Sequence, residues 1–405
     1  MPDSRDLVIV GAGLVGLCAA LAMQSPGRSI TILEAGELDA KPGGGLNARS
    51  IALSLSSVKI FQALGIWSQI ESAACAIETI HISSRGQFGV SRLRAKELQL
   101  DALGYVIENE SLIGCLLDAV DNIDGVDLQQ GVNLKSLVPA DRLSIQCDRK
   151  GRTLQYQAAM LLVADGAKST TRDLLGIDNQ LVEYGQFAMI TNLEVSRAKP
   201  SMAFERFLDT GPLALLPLGE NKYSCIWTLT PQMAEYFIDC PEQEFIGELQ
   251  RQFGYRLGYI DHIGERHVFP IQRICAQQLY RGRSVLLGNS ANSLHPVAGQ
   301  SFNLALRDIA ALYDVFAAQE LGALSGNEFE ALADKYQQLR KHEQQEVIRL
   351  GDGLIGLFSN NFPGLGPVRG LGLALLDVLP PLKAQVAMAG MGMAGTGSHM
   401  LRGRL

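Results

Sequence analysis

Three glycines and one acid are the residues of this chain whose types and spacing point most directly to chemistry. Gly11, Gly13 and Gly16 form a GxGxxG within Gly11-Ala12-Gly13-Leu14-Val15-Gly16, and Glu34 follows 21 residues after Gly13. In such a constellation the first glycine makes a tight turn. The second lets a pyrophosphate approach the backbone, and the third lets a helix pack closely on a strand. The amino end of that helix offers free N–H groups and a positive dipole end to phosphate. A carboxylate at the end of the next strand accepts ribose hydroxyls. The chemistry these residues suit is dinucleotide binding.

The elements that must position them are legible around the motif. Leu7 to Val10 is an apolar run short enough for a buried parallel strand, and Leu17–Gln24 has helical spacing. Ile30–Leu33 is a second apolar run, and Glu34 ends it. Strand, glycine turn, helix, strand and acid fit one βαβ unit. Glycines that merely allow a turn would leave Glu34 unexplained. A second GxGxxG, Gly390 to Gly395, has no strand before it and is read as a decoy.

Two later stretches resemble ligand-facing turns. The apolar run Met160–Ala164 ends in Asp165-Gly166, followed by a cap at Ser169 or Thr170 and by Arg172. An acid at a strand's carboxyl end in a doubly wound sheet faces the ligand crevice; the alternative is a turn aspartate. Ser284–Leu287 leads into Gly288-Asn289, then His295-Pro296, Gly299-Gln300 and a helix over Ser301–Phe316. Pro296 forces extended backbone before it, and the helix amino end is aimed at a ligand. His295 is open between a structural and an active-site role. Arg49 is open between a solvated surface position and a contact to cofactor phosphates.

The remaining chain reads as a glycine-rich loop at 42–45, a helix over Ser54–Leu64 and strands within 77–99. A hairpin turns at Lys150-Gly151. Strands follow over Phe187–Val195, Met202–Leu208, Pro212–Pro217 and Tyr223–Leu229, with a turn at Glu220-Asn221, then a helix over Gln243–Phe253. Phe329–Gly351 reads as a polar helix, and the stretch beyond it is apolar and glycine-rich. The expected division is a nucleotide-binding domain in three parts, 1–76, 100–182 and 273–350. A sheet domain occupies 77–99 and 183–272, and the tail 351–405.

Composition bounds the function. The 405 residues are 47% hydrophobic and 19% charged, with net charge −7, which gives no basic footprint for nucleic acid. Seven scattered cysteines form no CxxC and read as buried thiols in a reducing compartment. No run reaches the 18 or so apolar residues of a membrane span. The polar start MPDSRD leads directly into the first strand, so the expected location is the cytoplasm.

Three motifs in this order resemble the single-component flavoprotein monooxygenases of the aromatic hydroxylase type. They are the GxGxxG with Glu34, the Asp165-Gly166 motif with Ser169 and Arg172, and the stretch from Gly288 through His295-Pro296-Val297-Ala298-Gly299-Gln300-Ser301-Phe302-Asn303. The segments NARSIALS, FERF, GPLALLPL, FGYRLG and HPVAGQSFNLALRD are similar to the branch that hydroxylates rings in ubiquinone biosynthesis. Two positions depart from the family pattern: Asn289 stands for an aspartate, and Ser301 for the last glycine of GQG. Both read as tolerable subgroup variation, which leaves weaker flavin binding than in typical relatives open.

The resemblance implies an α/β fold: a doubly wound, Rossmann-like FAD-binding domain with an inserted mixed β-sheet substrate domain and a C-terminal helical tail. It implies FAD held by Gly11, Gly13, Gly16, Glu34, Arg49, Asp165, Gly166, Gly288, Asn289, Gly299, Gln300, Ser301 and Asn303. NADPH or NADH serves as transient reductant. A flavin C4a-hydroperoxide hydroxylates a polyprenyl phenol ring, 2-polyprenyl-6-methoxyphenol going to the 1,4-benzoquinol. His295 and Pro296 would adjoin the ring, and Tyr223, Glu205 and His295 are the candidate proton acceptors. The expected partners are the polyprenyl phenol, O2, other ubiquinone-biosynthesis proteins and the inner membrane surface. The alternatives are a same-fold flavoprotein acting on another ring position or substrate, and a non-enzymatic FAD-binding assembly subunit.

Overall fold

Leu7, Val8 and Ile9 have no exposed surface, as an apolar run without alternation demands of a central parallel strand. In the computed structural model, which describes residues 2–38, 46–293, 300–358, 377–393 and 398–403, this run lies in the strand Asp3–Val10. It pairs in parallel with Ile30–Glu34 on one side and Arg152–Val163 on the other. Val126–Gln130 and Ser284–Leu286 extend the parallel set outward. The helices Leu14–Met23, Asn109–Asp121 and Gln300–Phe316 pack around it.

The strand Arg152–Val163 joins the arm of the expected hairpin at Lys150-Gly151 to the apolar run Met160–Ala164. It is continuous because nothing between Gln157 and Met160 breaks it. It pairs antiparallel with Leu143–Arg149 at one end and parallel with Asp3–Val10 along its length. Lys150 and Gly151, at φ 51° and 82°, make the hairpin turn, the pair of positive values that suits a right-twisted ribbon.

A second sheet of nine strands stands beside the first. Thr79–Ser84 pairs in parallel with Met202–Leu208, which is followed by Gly211–Pro217, Lys222–Leu229, Asn179–Val195 and His267–Ala276. Its two faces differ. Met189, Leu193, Leu213, Leu215, Tyr223, Cys225 and Trp227 fill one face under the helices Pro231–Asp239 and Glu242–Phe253. Trp227 stacks on Phe237 at 5.4 Å. The helix Pro231–Asp239 is an addition to the sequence reading; Thr230 caps it by accepting the Met233 N–H, with Pro231 at its first turn.

The other face points at the nucleotide-binding half. There Ala203 and Leu216 pack with Ile77 and Val106, which belong to a three-stranded sheet of Ser50–Ser54, Gly104–Glu108 and Cys75–Ile77. Asn192 Nδ2 donates to Ala48 O at 2.5 Å. The helix Pro380–Gly390 covers the sheet's edge, with Ala387 and Met391 packed on Ile80, Ile82 and Leu93. No described helix is long and apolar enough to cross a membrane.

Other expectations shift at their ends. The helix expected over Ser54–Leu64 is Leu55–Ala63, because Ser50–Ser54 is recruited as a strand. The polar helix runs over Gly326–Phe358, with no proline or cap near Gly351 to stop it. Cys18, Cys147, Cys225 and Cys240 are buried thiols, whereas Cys75, Cys115 and Cys275 keep partial exposure, being near strand and helix surfaces. The residues before the second GxGxxG form a helix, so no strand feeds that glycine set.

Candidate active site

The glycine turn divides its labour sterically. A methyl group on Gly16 would lie 1.8 Å from Gly11 O, and one on Gly11, at φ +100°, would lie 2.5 Å from Ala164 O. Both must be glycine for the helix, turn and neighbouring strand to meet. A methyl on Gly13 would meet nothing within 4 Å. Gly13 is thus the open position, where a ligand's bulk can approach the backbone. It precedes the helix Leu14–Met23, whose amino end has no side-chain cap and no acid in its first turn, leaving its N–H groups to an anion.

Glu34 closes over the same turn. The Ala12 N–H donates to Glu34 Oε2 at 2.7 Å and the Gly36 N–H to Oε1 at 2.9 Å. The carboxylate is therefore fixed in orientation at the end of its strand, with lone pairs left to accept hydroxyl donors.

The Asp165-Gly166 turn lies next to it, since the Ala164 N–H donates to Val10 O at 2.8 Å. Asp165 Oδ2 accepts the Thr171 N–H at 3.1 Å. Among the described residues, Asp165 Oδ1, the Thr171 hydroxyl and Arg172 Nε are buried and have no partner. Ser169 is the cap, accepting the Arg172 N–H at 2.9 Å. The buried Arg172 then reaches across to donate to Ser290 O at 3.1 Å.

This ties the second motif to the third. Gly288, at φ +60°, approaches the first helix so closely that a methyl there would lie 2.9 Å from Val15 Cγ2. Asn289 is exposed beside it. Ser290 Oγ donates to Val163 O at 2.6 Å, and Asn292–Ser293 pairs with the second sheet. His295, Pro296 and Gly299 lie outside the described residues, as does the Gln300 side chain; Ser301, half-buried, lies in the first turn of the helix Gln300–Phe316.

Two expected site residues have other work. Asn303 is buried, with its carbonyl accepting from the Ser54 N–H at 2.8 Å and the Ser57 hydroxyl at 2.6 Å, and its amide donating to Ala52 O at 2.9 Å. It fastens the ligand-facing helix to the strand Ser50–Ser54, so its amide is spent on protein. Tyr223 falls on the face of the sheet turned away from the nucleotide-binding half. Its hydroxyl donates to Lys199 O at 2.7 Å and accepts the Lys199 N–H at 3.2 Å. Alternation along the strand places it there, and it is a packing residue. Arg49 is exposed on the segment that crosses between the sheets, and its carbonyl accepts the Asn109 N–H at 2.7 Å. Glu205 lies on the inner face.

Sequence reading missed Asn192 and Ser290, which join the sheets. An amide inside the strand expected over Phe187–Val195 was the available signal for the first.

The site fits FAD on its own geometry. A buried carboxylate oxygen without a donor costs about 1–3 kcal/mol, and a ribityl chain consists of donors. The open Gly13 and the uncapped helix suit its pyrophosphate. A match to the FAD binding domain family spans residues 4–350. The chain belongs to this family. This flavoprotein is 30% identical to a protein named ubiquinone hydroxylase UbiL from Rhodospirillum rubrum, with 96% of this chain and 89% of that one covered. It is 29% identical to 3-demethoxyubiquinol 3-hydroxylase from Escherichia coli, covering 96% and 98%. Among solved structures, p-nitrophenol 4-monooxygenase PnpA from Pseudomonas putida DLL-E4 shares the fold at TM-score 0.80 and 16% identity, covering 98% and 100%. The flavoprotein is an FAD-dependent monooxygenase of the aromatic hydroxylase type, with NAD(P)H as the reductant typical of its family.

Proposed function

We propose that the protein hydroxylates a polyprenyl phenol in ubiquinone biosynthesis, with 2-polyprenyl-6-methoxyphenol as substrate and the 1,4-benzoquinol as product. The observation that carries this reading is the inner face of the second sheet. Ile82, Ala214, Ile226 and Ile190 form an apolar row there, interrupted by one acid, Glu205. An apolar wall with one polar group suits a hydrophobic phenol. The names of the relatives from R. rubrum and E. coli support the same substrate class.

Bound FAD supplies the redox and oxygen-activating chemistry. The chain's own part is to hold it: phosphates at Gly13 and the first helix, a ribose on Glu34, and polyol hydroxyls at Asp165, with Arg49 and Asn289 as further contacts. The apolar row excludes water and orients the ring. The three-part nucleotide-binding domain and the two-part substrate domain, with the boundaries given above, belong to this reading. So does peripheral contact at the inner membrane face, supported by the outward side of the C-terminal helix. There Leu382 and Val386, four residues apart, are 42% and 41% exposed. A second reading, attack at a different ring carbon, is favoured by the name of the E. coli relative. Locating the new oxygen on the product ring tests both.

A further inference from the structure

Glu205 is an acid on an apolar wall, without a partner among the described residues. Its register neighbours are Ile82 and Ala214, followed by Ile226 and Ile190 on the next two strands. Residues in one such row share a face. Ala203 and Phe207 flank it along its own strand, and both are buried. Arg206, next in the chain, turns to the other face, where its guanidinium donates to Gln252 O at 2.8 Å and to the Ser83 hydroxyl at 3.3 Å. Among the described residues the Glu205 carboxyl has no ion pair and no hydrogen bond.

The charged and titratable groups on the elements packed around this face do not relieve it. Lys383 of the C-terminal helix is held by Glu97 at 2.9 Å and Asp377 at 3.4 Å. Tyr105 and Glu108 belong to the three-stranded sheet, Arg349 is exposed on the long helix, and His267 lies at the far end of the row beside Glu265. Glu205 keeps accessible surface on this face. An acid in such a place costs stability, and a structural role leaves it unexplained.

The face is turned to the flavin-binding half. Ala203, two residues from Glu205, packs with Val106 of the three-stranded sheet. That sheet's strand Ser50–Ser54 is the one Asn303 fastens to the ligand-facing helix.

We propose that Glu205 accepts the proton of the substrate's phenol. The proton passes from the phenol oxygen to a carboxylate oxygen of Glu205, and the O–H electron pair stays on the phenol oxygen, enriching the ring. The assignment rests on the phenol reading above. Desolvation pushes the Glu205 carboxyl up to about 7. Against a phenol near about 10, the transfer is uphill by about three units rather than the roughly six that an ordinary carboxylate faces, and general bases work best near operating pH.

The test uses FAD-loaded full-length protein and a short-tailed 2-prenyl-6-methoxyphenol. Product formation is followed against pH in the wild type, Glu205→Gln and Glu205→Asp, with bound FAD as the folding control. In the wild type the rate rises with pH as Glu205 becomes a carboxylate and levels off above about 7. Glu205→Gln loses that step and lowers product formation on the order of 100-fold, while Glu205→Asp recovers part of both. A wild-type rate without such a step overturns the proposal. So does a Gln variant that matches the wild-type rate and pH profile; the phenol reading survives both results. Wild-type protein that holds FAD and makes no product removes the phenol reading and Glu205's role with it.

Discussion

Arg340 Nε donates to Asp308 Oδ1 at 2.6 Å, with the two side chains 5% and 1% exposed. Asp308 lies on the helix Gln300–Phe316, and Arg340 on the long helix Gly326–Phe358 behind it. Glu343 bonds both Arg340 and Arg307, and Gln344 Nε2 donates to Asp308 Oδ1 at 3.1 Å. The cluster fixes how one helix seats on the other, and through Asn303 it fixes where the first helix ends.

Arg340→Ala leaves Asp308 as an uncompensated buried charge, which costs about 3–5 kcal/mol. Thermal unfolding of the variant is expected at lower temperature, with weaker FAD retention. An unchanged melting curve would show that the cluster is not holding the helix.

The glycine turn predicts a split between two similar changes. Gly16→Ala drives a methyl into Gly11 O and is expected to lower the stability of the protein even without flavin. Gly13→Ala has room in the fold and φ −69°, so apoprotein stability stays within about 1 kcal/mol. FAD affinity, read by flavin fluorescence, is expected to fall at least tenfold. Equal FAD affinity in Gly13→Ala and wild type contradicts the pyrophosphate position.

How much of this was legible in the sequence follows from range. Gly11, Gly13, Gly16 and Glu34 act within one βαβ unit, so their spacing carried their roles. The turns at Lys150-Gly151 and Glu220-Asn221 were legible for the same reason. Tyr223 and Glu205 were equal candidates until pairing fixed which face each strand turns inward. Asn303 looked like a cofactor ligand because it ends a motif, yet its partners Ala52, Ser54 and Ser57 are some 250 positions away. The ion cluster joins residues on two helices, and nothing local announces it.

Asp165→Asn keeps an oxygen for the Thr171 N–H and removes the charge from the site. A hydrogen bond to a charged group contributes about 1.5–3 kcal/mol, so FAD is expected to bind about 10- to 100-fold more weakly while apoprotein stability barely moves. Equilibrium titration with FAD checks this. Wild-type affinity in the variant would mean that the orphan oxygen does not meet the cofactor.

Glu205 predicts a pH signature in stability. Its carboxyl titrates at about 7 in the folded protein against an ordinary 4.5, so the folded state holds the proton more tightly than the unfolded one. The penalty is absent below about pH 4.5, grows as pH rises to 7 and then levels off. Glu205→Gln lacks it, and is expected to gain about 1–3 kcal/mol over wild type at pH 8 with no gain at pH 4.5. Denaturant unfolding at both pH values measures this, and a gain independent of pH contradicts the desolvated acid.

The most direct test of the functional reading is NADPH or NADH oxidation by the FAD-loaded protein, with and without a short-tailed 2-prenyl-6-methoxyphenol, followed by mass analysis of the product. Oxidation stimulated by the phenol, with one oxygen atom gained by the ring, is the result expected. Protein that holds FAD but shows neither stimulation nor an oxygenated product would contradict it.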